Sequence, residues 1–309
     1  MQKTDQALAI RALRNAAPYI RLYKGRTFVV KAGGGVFADI ASTRTLIEQI
    51  GILHYFGVRV VLVHGGGPQL TEISESLGVT TRMVQGRRVT DERAIEVTAM
   101  VLSGLINTRI LAICRELSID AVGVSGVDAG LVRAHRRPPV RVEGTGEMVD
   151  FGFVGDIESI DPLVIRKLLD NGLMPVVSPL SADAHGVLLN INADTVAAEL
   201  GAALGAEKLI LCTGAPGILE RLDDPGSLIS YTDLAGLERL RGEARIADGM
   251  LPKAKAIESA IRGGVKRVHV VSYKAPEGIL GEVFTNEGTG TLIVPDVNAL
   301  SAAEQQASG

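Results

Sequence analysis

The chain has 309 residues, a formal net charge of −3, 46% hydrophobic residues and 22% charged residues, values typical of a globular protein with one large core or two lobes around a cleft. A slightly acidic chain without tryptophan and with 4% aromatic residues lacks the basic and stacking surfaces of nucleic-acid binders, so no nucleic-acid partner is expected. The N-terminus has no signal-peptide core and no stretch approaches the ~20 apolar residues of a membrane span, which predicts a cytoplasmic protein.

Residues 1–24 form a segment of their own ahead of the first strand. Apolar residues recur there at helical spacing, Asp5 is placed as an N-cap, and Pro18 is predicted to kink or end the helix. Two interpretations stay open. The helix packs on its own domain, or it is an oligomerisation arm that reaches a neighbouring subunit.

Strand and helix patterns alternate from residue 25 to 298. Continuous apolar strands separated by helices indicate a parallel sheet covered on both faces. The expected fold class is therefore α/β, a three-layer α/β/α sandwich with a mostly parallel central sheet and two functional lobes. Residues 131–156, rich in Arg, Pro and Gly, predict hairpins on the rim. The predicted strands are 27–31, 58–64, 121–125, 174–178, 208–213 and 267–271, and the predicted helices are 5–22, 42–56, 69–77, 91–117, 194–204 and 252–262.

Two glycine clusters follow predicted strands. Lys31 ends the first strand and opens into the triplet 33–35, and the second strand opens into the triplet 65–67. Because glycine has no Cβ, backbone N–H groups in such loops can approach an anion closely, and a helix that begins there adds its dipole. A single triplet often serves only a tight turn, but two triplets at strand ends predict a phosphate site.

Further polar residues are candidates, each with a simple structural alternative. Lys253 lies near a predicted helix start, where lysine is usually solvated, and a lone Arg88 is more often a surface residue than a carboxylate fork. Asn190 and Asn192 alternate along a predicted strand, so their side chains point to one face. Asp194 falls where a helix N-cap is expected, and spacing alone favours that role.

Taken in order, these pieces resemble the amino acid kinase family. Each match is short, but together they span nearly the whole chain in the family's order. The matching segments are Lys31-Ala-Gly-Gly-Gly35, Val63-His-Gly-Gly-Gly-Pro68, Gly86-Arg-Arg-Val-Thr-Asp91, Val122-Gly-Val-Ser-Gly126, Gly152-Phe-Val-Gly155, Asn190-Ile-Asn-Ala-Asp194, Ala206-Glu-Lys-Leu-Ile210 and Gly249-Met-Leu-Pro-Lys253.

The resemblance implies an enzyme that moves the γ-phosphoryl group of ATP to the side-chain carboxylate of N-acetyl-L-glutamate in arginine biosynthesis. It implies that Lys31 and Lys253 neutralise charge on the transferring phosphoryl group and that Asp194 holds both ammonium groups. It also implies that Mg²⁺ is held by ATP rather than by protein ligands.

The alternation of strands and helices predicts an acceptor lobe (25–180) and a nucleotide lobe (181–298), and the composition after Asn298 predicts a tail (299–309). The resemblance implies that the glycine loops bind the phosphoryl group and that one arginine and two asparagines hold the acceptor. The residues concerned are Gly34, Gly35, Gly66 and Gly67 for phosphate, and Arg88, Asn190 and Asn192 for the acceptor.

A second resemblance concerns regulation. The N-terminal helix and the segment 281–291 resemble the arginine-inhibited branch of the family, whose members use that helix to link dimers into a hexamer. For this chain the resemblance implies an L-arginine effector site at His269, Glu282 and Gly288, and a dimer or a hexamer.

The chain departs from the family pattern at Ala32, Gly35, Gly214 and the segment that follows residue 271. Two alternatives therefore stay open. One is a related kinase with another carboxylate acceptor, such as an aminoadipate derivative. The other is a catalytically silent kinase-like domain that binds arginine, against which the retention of both lysines and Asp194 counts.

Overall fold

The computed structural model describes residues 3–84, 87–142, 146–221, 223–224, 226–243, 245, 250–285 and 288–300. Gly86 and Gly249, which belong to the motifs above, and residues 301–309 of the predicted tail lie outside the described residues. All the predicted strands and helices are present, with ends within two residues of those predicted. The strands that were not predicted are Arg82–Val84, Arg87–Val89, Leu180–Ala182, Leu188–Asn190, Tyr231–Asp233 and Thr291–Val294, and the helices that were not predicted are Leu163–Asp170, Leu234–Gly242 and Gly278–Phe284.

The described part of the chain contains strands and helices in alternation over most of its length. The strands are β1 (Thr27–Ala32), β2 (Arg59–His64), β3 (Arg82–Val84), β4 (Arg87–Val89), β5 (Ala121–Ser125), β6 (Val132–Arg136), β7 (Val140–Arg141), β8 (Met148–Val149), β9 (Gly155–Ile160), β10 (Met174–Ser178), β11 (Leu180–Ala182), β12 (Leu188–Asn190), β13 (Lys208–Thr213), β14 (Tyr231–Asp233), β15 (Arg267–Ser272) and β16 (Thr291–Val294). The helices are α1 (Lys3–Tyr23), α2 (Ile40–Tyr55), α3 (Gly67–Ser76), α4 (Glu92–Ala99), α5 (Asn107–Glu116), α6 (Leu163–Asp170), α7 (Ala193–Leu204), α8 (Leu234–Gly242), α9 (Leu251–Arg262) and α10 (Gly278–Phe284).

Eight strands form the central sheet in the order β14-β16-β15-β13-β1-β2-β10-β5. Neighbouring strands run parallel except at the β15–β16 pair, which is antiparallel. Because parallel neighbours end on the same edge of a sheet, the carboxyl ends of β1, β2, β13 and β15 share one edge. Ligands of open α/β sheets bind at that edge.

Each face of the sheet buries its own core, which confirms the three-layer α/β/α sandwich. On β1, Val29 belongs to the same core as Ile257 of α9, whereas Phe28 belongs to the core on the opposite face, together with Ile50 of α2 and Ile110 of α5. Alternate residues of a strand point to opposite faces, so a strand covered on both sides must be apolar throughout. The run Phe28-Val-Val30 meets that requirement.

The rim is built from smaller sheets, in agreement with the hairpins predicted for residues 131–156. Strands β12, β11, β6 and β9 form a four-stranded sheet, and β3–β4 and β7–β8 form two hairpins. The β3–β4 hairpin places Arg88 opposite Met83.

Helix α1 confirms the predicted N-terminal helix but not its details. It already includes Asp5, which is therefore not its N-cap, and it continues beyond Pro18. Its second half rests on the domain, where Tyr19 packs edge-on against Phe284 of α10. Among the large apolar side chains that it leaves exposed are Ile10, Leu13 and Leu22.

One helix in the described part is long and apolar enough to cross a membrane, contrary to the expectation from the sequence. It runs from Glu92 to Glu116 through α4, a π-helical segment (Met100–Ile106) and α5. Half of its apolar window is buried inside the fold, where Ile106 and Ile110 belong to the core. A core helix gives the same signal, so the segment is explained by its packing on the sheet.

Candidate active site

Two lysines and one aspartate, far apart in the sequence, meet at the carboxyl end of β1. Lys31 Nζ lies 2.9 Å and Lys253 Nζ lies 2.8 Å from the same oxygen, Oδ1, of Asp194. All three residues are buried, at 7–9% exposure. Two ammonium groups that share one carboxylate oxygen are held close to each other.

Three different elements deliver these side chains. Lys31 is the second-last residue of β1, where it lies opposite Val63 of β2 and Leu211 of β13. Lys253 lies in the first turn of α9, after Pro252, a residue suited to that position because it needs no N–H partner. Asp194 lies in the first turn of α7, where a negative charge also interacts favourably with the helix dipole.

The cap of α7 differs from the prediction. Asn192, not Asp194, is the N-cap, and its side-chain oxygen accepts hydrogen bonds from the backbone N–H groups of Asp194 and Thr195. This frees the Asp194 carboxylate for the two lysines. The simple capping role that spacing favoured for Asp194 is therefore wrong.

Burial and mutual charge set the pKa values in this cluster. Burial alone would raise the pKa of Asp194, but the charges of Lys31 and Lys253 and their hydrogen bonds lower it below its ordinary value. Burial, together with the charge of Lys31, lowers the pKa of Lys253, and Asp194 opposes that shift. Asp194 is consequently an anion near neutral pH, bound to two cations.

The two glycine clusters touch each other beside this cluster. A Cβ on Gly34 would lie 2.7 Å from Pro68 Cδ and 2.8 Å from the backbone nitrogen of Gly67. A Cβ on Gly66 would lie 2.4 Å from Ile106 Cδ1 and 2.6 Å from Leu102 Cδ2, so a side chain there would displace buried side chains of the helix behind the loop. Close approach of the two loops thus explains the glycine at position 34, and the helix behind the second loop explains the glycine at position 66.

A cavity of about 400 Å³ opens between the loops and the rim. Its lining includes most of the predicted site residues, namely Lys31, Gly34, Gly66, Gly67, Arg88, Asn190, Asn192 and Asp194. Among the residues predicted for phosphoryl transfer and acceptor binding, Lys253 and Gly35 are not part of that lining; a Cβ on Gly35 would face the Tyr273 hydroxyl.

Arg88 is held in place by hydroxyl groups on the rim. Its Nη1 donates to Thr81 Oγ1 at 2.8 Å, and its Nη2 donates to Thr71 Oγ1 at 2.7 Å and to the carbonyl oxygen of Gly67 at 3.2 Å. None of these partners is a carboxylate. Burial lowers the pKa of Arg88, and the charge of Glu75 opposes that shift. Arg88 also lines the cavity, where an anion could pair with it.

The two asparagines differ in what holds them. Asn190 ends β12 and donates weakly from Nδ2 to Thr90 Oγ1, at 3.4 Å, whereas the side-chain oxygen of Asn192 caps α7. They therefore do not alternate along one strand as predicted, because β12 ends at Asn190. Both still line the cavity.

Reasoning from the sequence missed several residues around the cavity. Gln69, in the first turn of α3, donates from Nε2 to the carbonyl oxygen of Gly34 at 2.9 Å and so ties one glycine loop to the other. Arg87 and Arg137 also line the cavity. In the sequence, Arg87 is marked only by its position next to Arg88, and Arg137 only by its place in the arginine-rich segment 131–156.

The residues predicted for an effector form a second buried cluster. His269 Nδ1 lies 2.6 Å from Glu282 Oε1, and His269 Nε2 lies 2.9 Å from Lys208 Nζ. The other oxygen of Glu282 accepts hydrogen bonds from the backbone N–H groups of Thr289 and Gly290. Each oxygen of this carboxylate therefore has at least one hydrogen-bond partner within the protein.

Gly288 adjoins the same carboxylate. Its φ is +64°, and a Cβ there would lie 2.9 Å from Glu282 Oε2, so glycine is required on both grounds. Burial and the nearby Lys208 lower the pKa of His269 to about 4. Burial alone would raise the pKa of Glu282, but His269 and the backbone N–H of Thr289 lower it to about 2. Neutral His269 then donates to Glu282 and accepts from Lys208.

This shift predicts a pH-dependent stability. Because the pKa of His269 is lowered from 6.5 to about 4, the unfolded chain binds this proton more readily, and the free energy of unfolding falls as the pH drops between those values. We expect the free energy of unfolding of His269→Gln to fall less steeply than that of wild type as the pH drops from 6.5 to about 4. Urea denaturation at a series of pH values measures this. His135→Gln, at an exposed histidine, should keep the wild-type slope, and identical slopes for all three proteins would contradict the prediction.

Comparisons with known proteins agree with this geometry. A sequence model of the amino acid kinase family matches residues 26–272. The chain is 45% identical to acetylglutamate kinase of Myxococcus xanthus, over 92% of this chain and 93% of that protein.

Solved structures give the same picture. N-acetylglutamate synthase of Neisseria gonorrhoeae with coenzyme A and N-acetyl-glutamate has a TM-score of 0.80 and 28% identity, over 96% of this chain and 67% of that chain. The same synthase with coenzyme A and L-arginine has a TM-score of 0.80 and 28% identity, over 93% of this chain and 65% of that chain. By the extent of its sequence match and by its fold, the chain belongs to the amino acid kinase family.

Proposed function

We propose that the chain phosphorylates the side-chain carboxylate of N-acetyl-L-glutamate with ATP, as a step of arginine biosynthesis. The observation that carries the proposal is the pair of lysines on one oxygen of Asp194, beside two glycine loops and a cavity lined by arginines. It is supported by relatives named acetylglutamate kinase that are 39–45% identical over most of the chain.

The reaction needs charge neutralisation rather than a base. The bond between the γ-phosphorus and the bridging oxygen of ADP breaks, and a bond between that phosphorus and a carboxylate oxygen forms. The acceptor carboxylate is already ionised at neutral pH, so no proton has to be removed. Asp194, with its lowered pKa and two ammonium partners, orients the lysines and is not a general base.

The two lysines and the glycine loops divide the remaining work. Lys31 and Lys253 bring two positive charges to the oxygens of the transferring group, on which negative charge is spread in the transition state. The backbone N–H groups of Gly34, Gly35, Gly66 and Gly67 donate to the same oxygens. Such preorganised donors in a site shielded from water are the main source of rate enhancement in reactions of this kind.

Mg²⁺ fits this site as a companion of the nucleotide. Within the described ranges no group of three or more His, Cys, Asp or Glu residues is placed to hold a metal ion, and Asp194, the only carboxylate among the residues that line the cavity, is taken by the lysines. We expect phosphate oxygens and water to hold Mg²⁺. When bound, it would neutralise part of the charge of the phosphates.

The two substrates are assigned to different parts of the chain. Residues 25–180 bind the acceptor, with Arg88 paired to its α-carboxylate, and residues 181–298 bind the nucleotide. Asn190 and Asn192 contribute to the acceptor pocket across that boundary. This assignment is supported by the position of all three residues around one cavity.

Regulation, assembly and location complete the proposal. L-arginine binds near His269, Glu282 and Gly288, helix α1 with its exposed apolar residues links subunits into a homo-oligomer, and the enzyme is cytoplasmic. A structural neighbour named with L-arginine supports the first point. If saturating arginine leaves the initial rate unchanged, or sedimentation gives a monomer, the corresponding part is wrong.

A substrate panel tests the proposed function. MgATP is offered with N-acetyl-L-glutamate, glutamate, aspartate, an aminoadipate derivative or carbamate in turn, and acyl phosphate is trapped with hydroxylamine. Turnover with N-acetyl-L-glutamate alone is the expected result. Preference for the aminoadipate derivative would identify a related kinase, and no turnover with any acceptor would indicate a silent domain.

Arg88 gives a sharper test of acceptor binding. Arg88→Lys keeps the charge but loses the planar fork, so we expect the KM for N-acetyl-L-glutamate to rise about 10- to 100-fold with little change in the KM for ATP. Arg82→Lys is the matched control and should behave as wild type. Arg82 lies on the same hairpin as Arg88, but it is exposed and pairs with Glu147. Equal KM values for all three proteins would remove Arg88 from the site.

A further inference from the structure

A tyrosine hydroxyl lies directly over the first glycine loop. A Cβ built on Gly35 would be 2.7 Å from the hydroxyl oxygen of Tyr273, and a Cβ built on Gly214 would be 3.4 Å from it. Tyr273 follows β15, and its backbone N–H donates to the carbonyl oxygen of Thr213 at the end of β13. The hydroxyl therefore occupies the space that a side chain at position 35 would fill.

Strand order explains why these residues meet. β15, β13 and β1 are adjacent and parallel, so Tyr273, Gly214 and Gly35 follow neighbouring strands at the same edge of the sheet. At the start of the same loop, a Cβ on Gly33 would lie 3.8 Å from Lys31 Nζ. The loop 33–35 thus has the Lys31 ammonium group at one end and the Tyr273 hydroxyl at the other.

The ring and the hydroxyl of Tyr273 have different surroundings. The ring is partly buried against the core that contains α2, which fixes its position. The hydroxyl has no hydrogen-bond partner in the part of the chain that the structure describes. A phenol O–H that a packed ring holds against a phosphate-binding loop is suited to donate to an anionic oxygen.

On the basis of the proposed function, we propose that Tyr273 binds the nucleotide, donating a hydrogen bond from its hydroxyl to a non-bridging oxygen of the triphosphate of ATP above Gly35. Gly35 and Gly214 leave room for the ring because they lack side chains. Tyr273 adds a neutral donor to the two ammonium groups and the backbone N–H groups. No bond is made or broken at Tyr273.

Nucleotide binding, measured without turnover, tests this role. Tyr273→Phe keeps the ring and removes only the hydroxyl, so calorimetry should show about 10- to 100-fold weaker binding of a non-hydrolysable ATP analogue, with adenosine binding unchanged. Tyr55→Phe removes a hydroxyl that donates to the carbonyl oxygen of Leu117 and should bind the analogue as wild type does. Equal affinity of Tyr273→Phe and wild type for the analogue would overturn the proposal.

A double-mutant cycle tests the contact itself. In Gly35→Ala the new methyl group meets the hydroxyl at 2.7 Å, but in Gly35→Ala with Tyr273→Phe the nearest ring atom is Cζ, at 3.5 Å, an ordinary contact. We expect Gly35→Ala to weaken binding of the ATP analogue by a clearly larger factor in the wild-type protein than in the Tyr273→Phe variant. The same factor in both backgrounds would overturn the placement.

The two proposals fail in different experiments. If the chain gives no acyl phosphate from N-acetyl-L-glutamate but Tyr273→Phe weakens analogue binding, the proposed acceptor is wrong and the tyrosine role stands. If turnover is normal and Tyr273→Phe binds the analogue as wild type does, only the tyrosine role is wrong.

Discussion

Lys31→Ala and Lys253→Ala are each expected to lower kcat with N-acetyl-L-glutamate by about 100- to 1,000-fold, the range found when one preorganised donor is removed from a transition state. Both ammonium groups are held within 3 Å of one oxygen of Asp194, so neither has freedom to replace the other. Each substitution removes one positive charge from the oxygens of the transferring group.

The measurement is the initial rate of acyl phosphate formation at saturating MgATP and acceptor. Lys266→Ala is the matched control, since Lys266 is exposed and pairs with Glu207 outside the cavity; its kcat should equal that of wild type. If both Lys31→Ala and Lys253→Ala retain the wild-type kcat, the mechanism is wrong.

Asp194→Asn should lower both stability and activity. The substitution leaves two buried ammonium groups without their shared anion, and breaking a buried ion pair costs about 3–5 kcal/mol of unfolding free energy. Because the pKa of Asp194 is lowered from 3.8, its contribution is present above that value and is lost as the pH falls through the folded pKa. We therefore expect the largest difference between wild type and variant near neutral pH.

Urea denaturation at pH 7 measures this effect, and two further variants give it controls. Asp170→Asn removes an exposed partner of Arg59 and should cost less than about 1 kcal/mol. Asp194→Asn combined with Lys253→Met removes the repulsion between the lysines and should be more stable than Asp194→Asn alone. An Asp194→Asn protein as stable as wild type would mean that the ion pairs are not formed in solution.

Most of the fold could be predicted because its strands are local patterns. Phe28-Val-Val30 places apolar side chains on both faces of the strand, a pattern that indicates a strand covered on both sides. Glycines mark the ends of the strands. Strand β16, which is antiparallel to β15 and parallel to β14, was missed because it is only four residues long. The helix from Glu92 to Glu116 is amphipathic enough to be predicted, but its membrane-like apolarity becomes interpretable only when half of it is seen to be buried.

The site depends on contacts that spacing does not encode. No local pattern connects Lys31, Asp194 and Lys253, so only the ordered resemblance suggested that they belong together. Asn192 rather than Asp194 caps α7 because its side chain reaches the N–H groups of the first turn, a choice between neighbours that sequence leaves open. Gly35, Gly214 and the segment that contains Tyr273 were noted as departures from the family pattern, but their contact arises from strand order, which the sequence does not show.

A crystal structure with Mg²⁺, a non-hydrolysable ATP analogue and N-acetyl-L-glutamate tests the central claim most directly. We predict that the Nζ atoms of Lys31 and Lys253 both lie within hydrogen-bond distance of oxygens on the terminal phosphate, with the acceptor carboxylate facing that phosphorus and Asp194 still bound to both lysines. A terminal phosphate bound away from both ammonium groups would contradict the account.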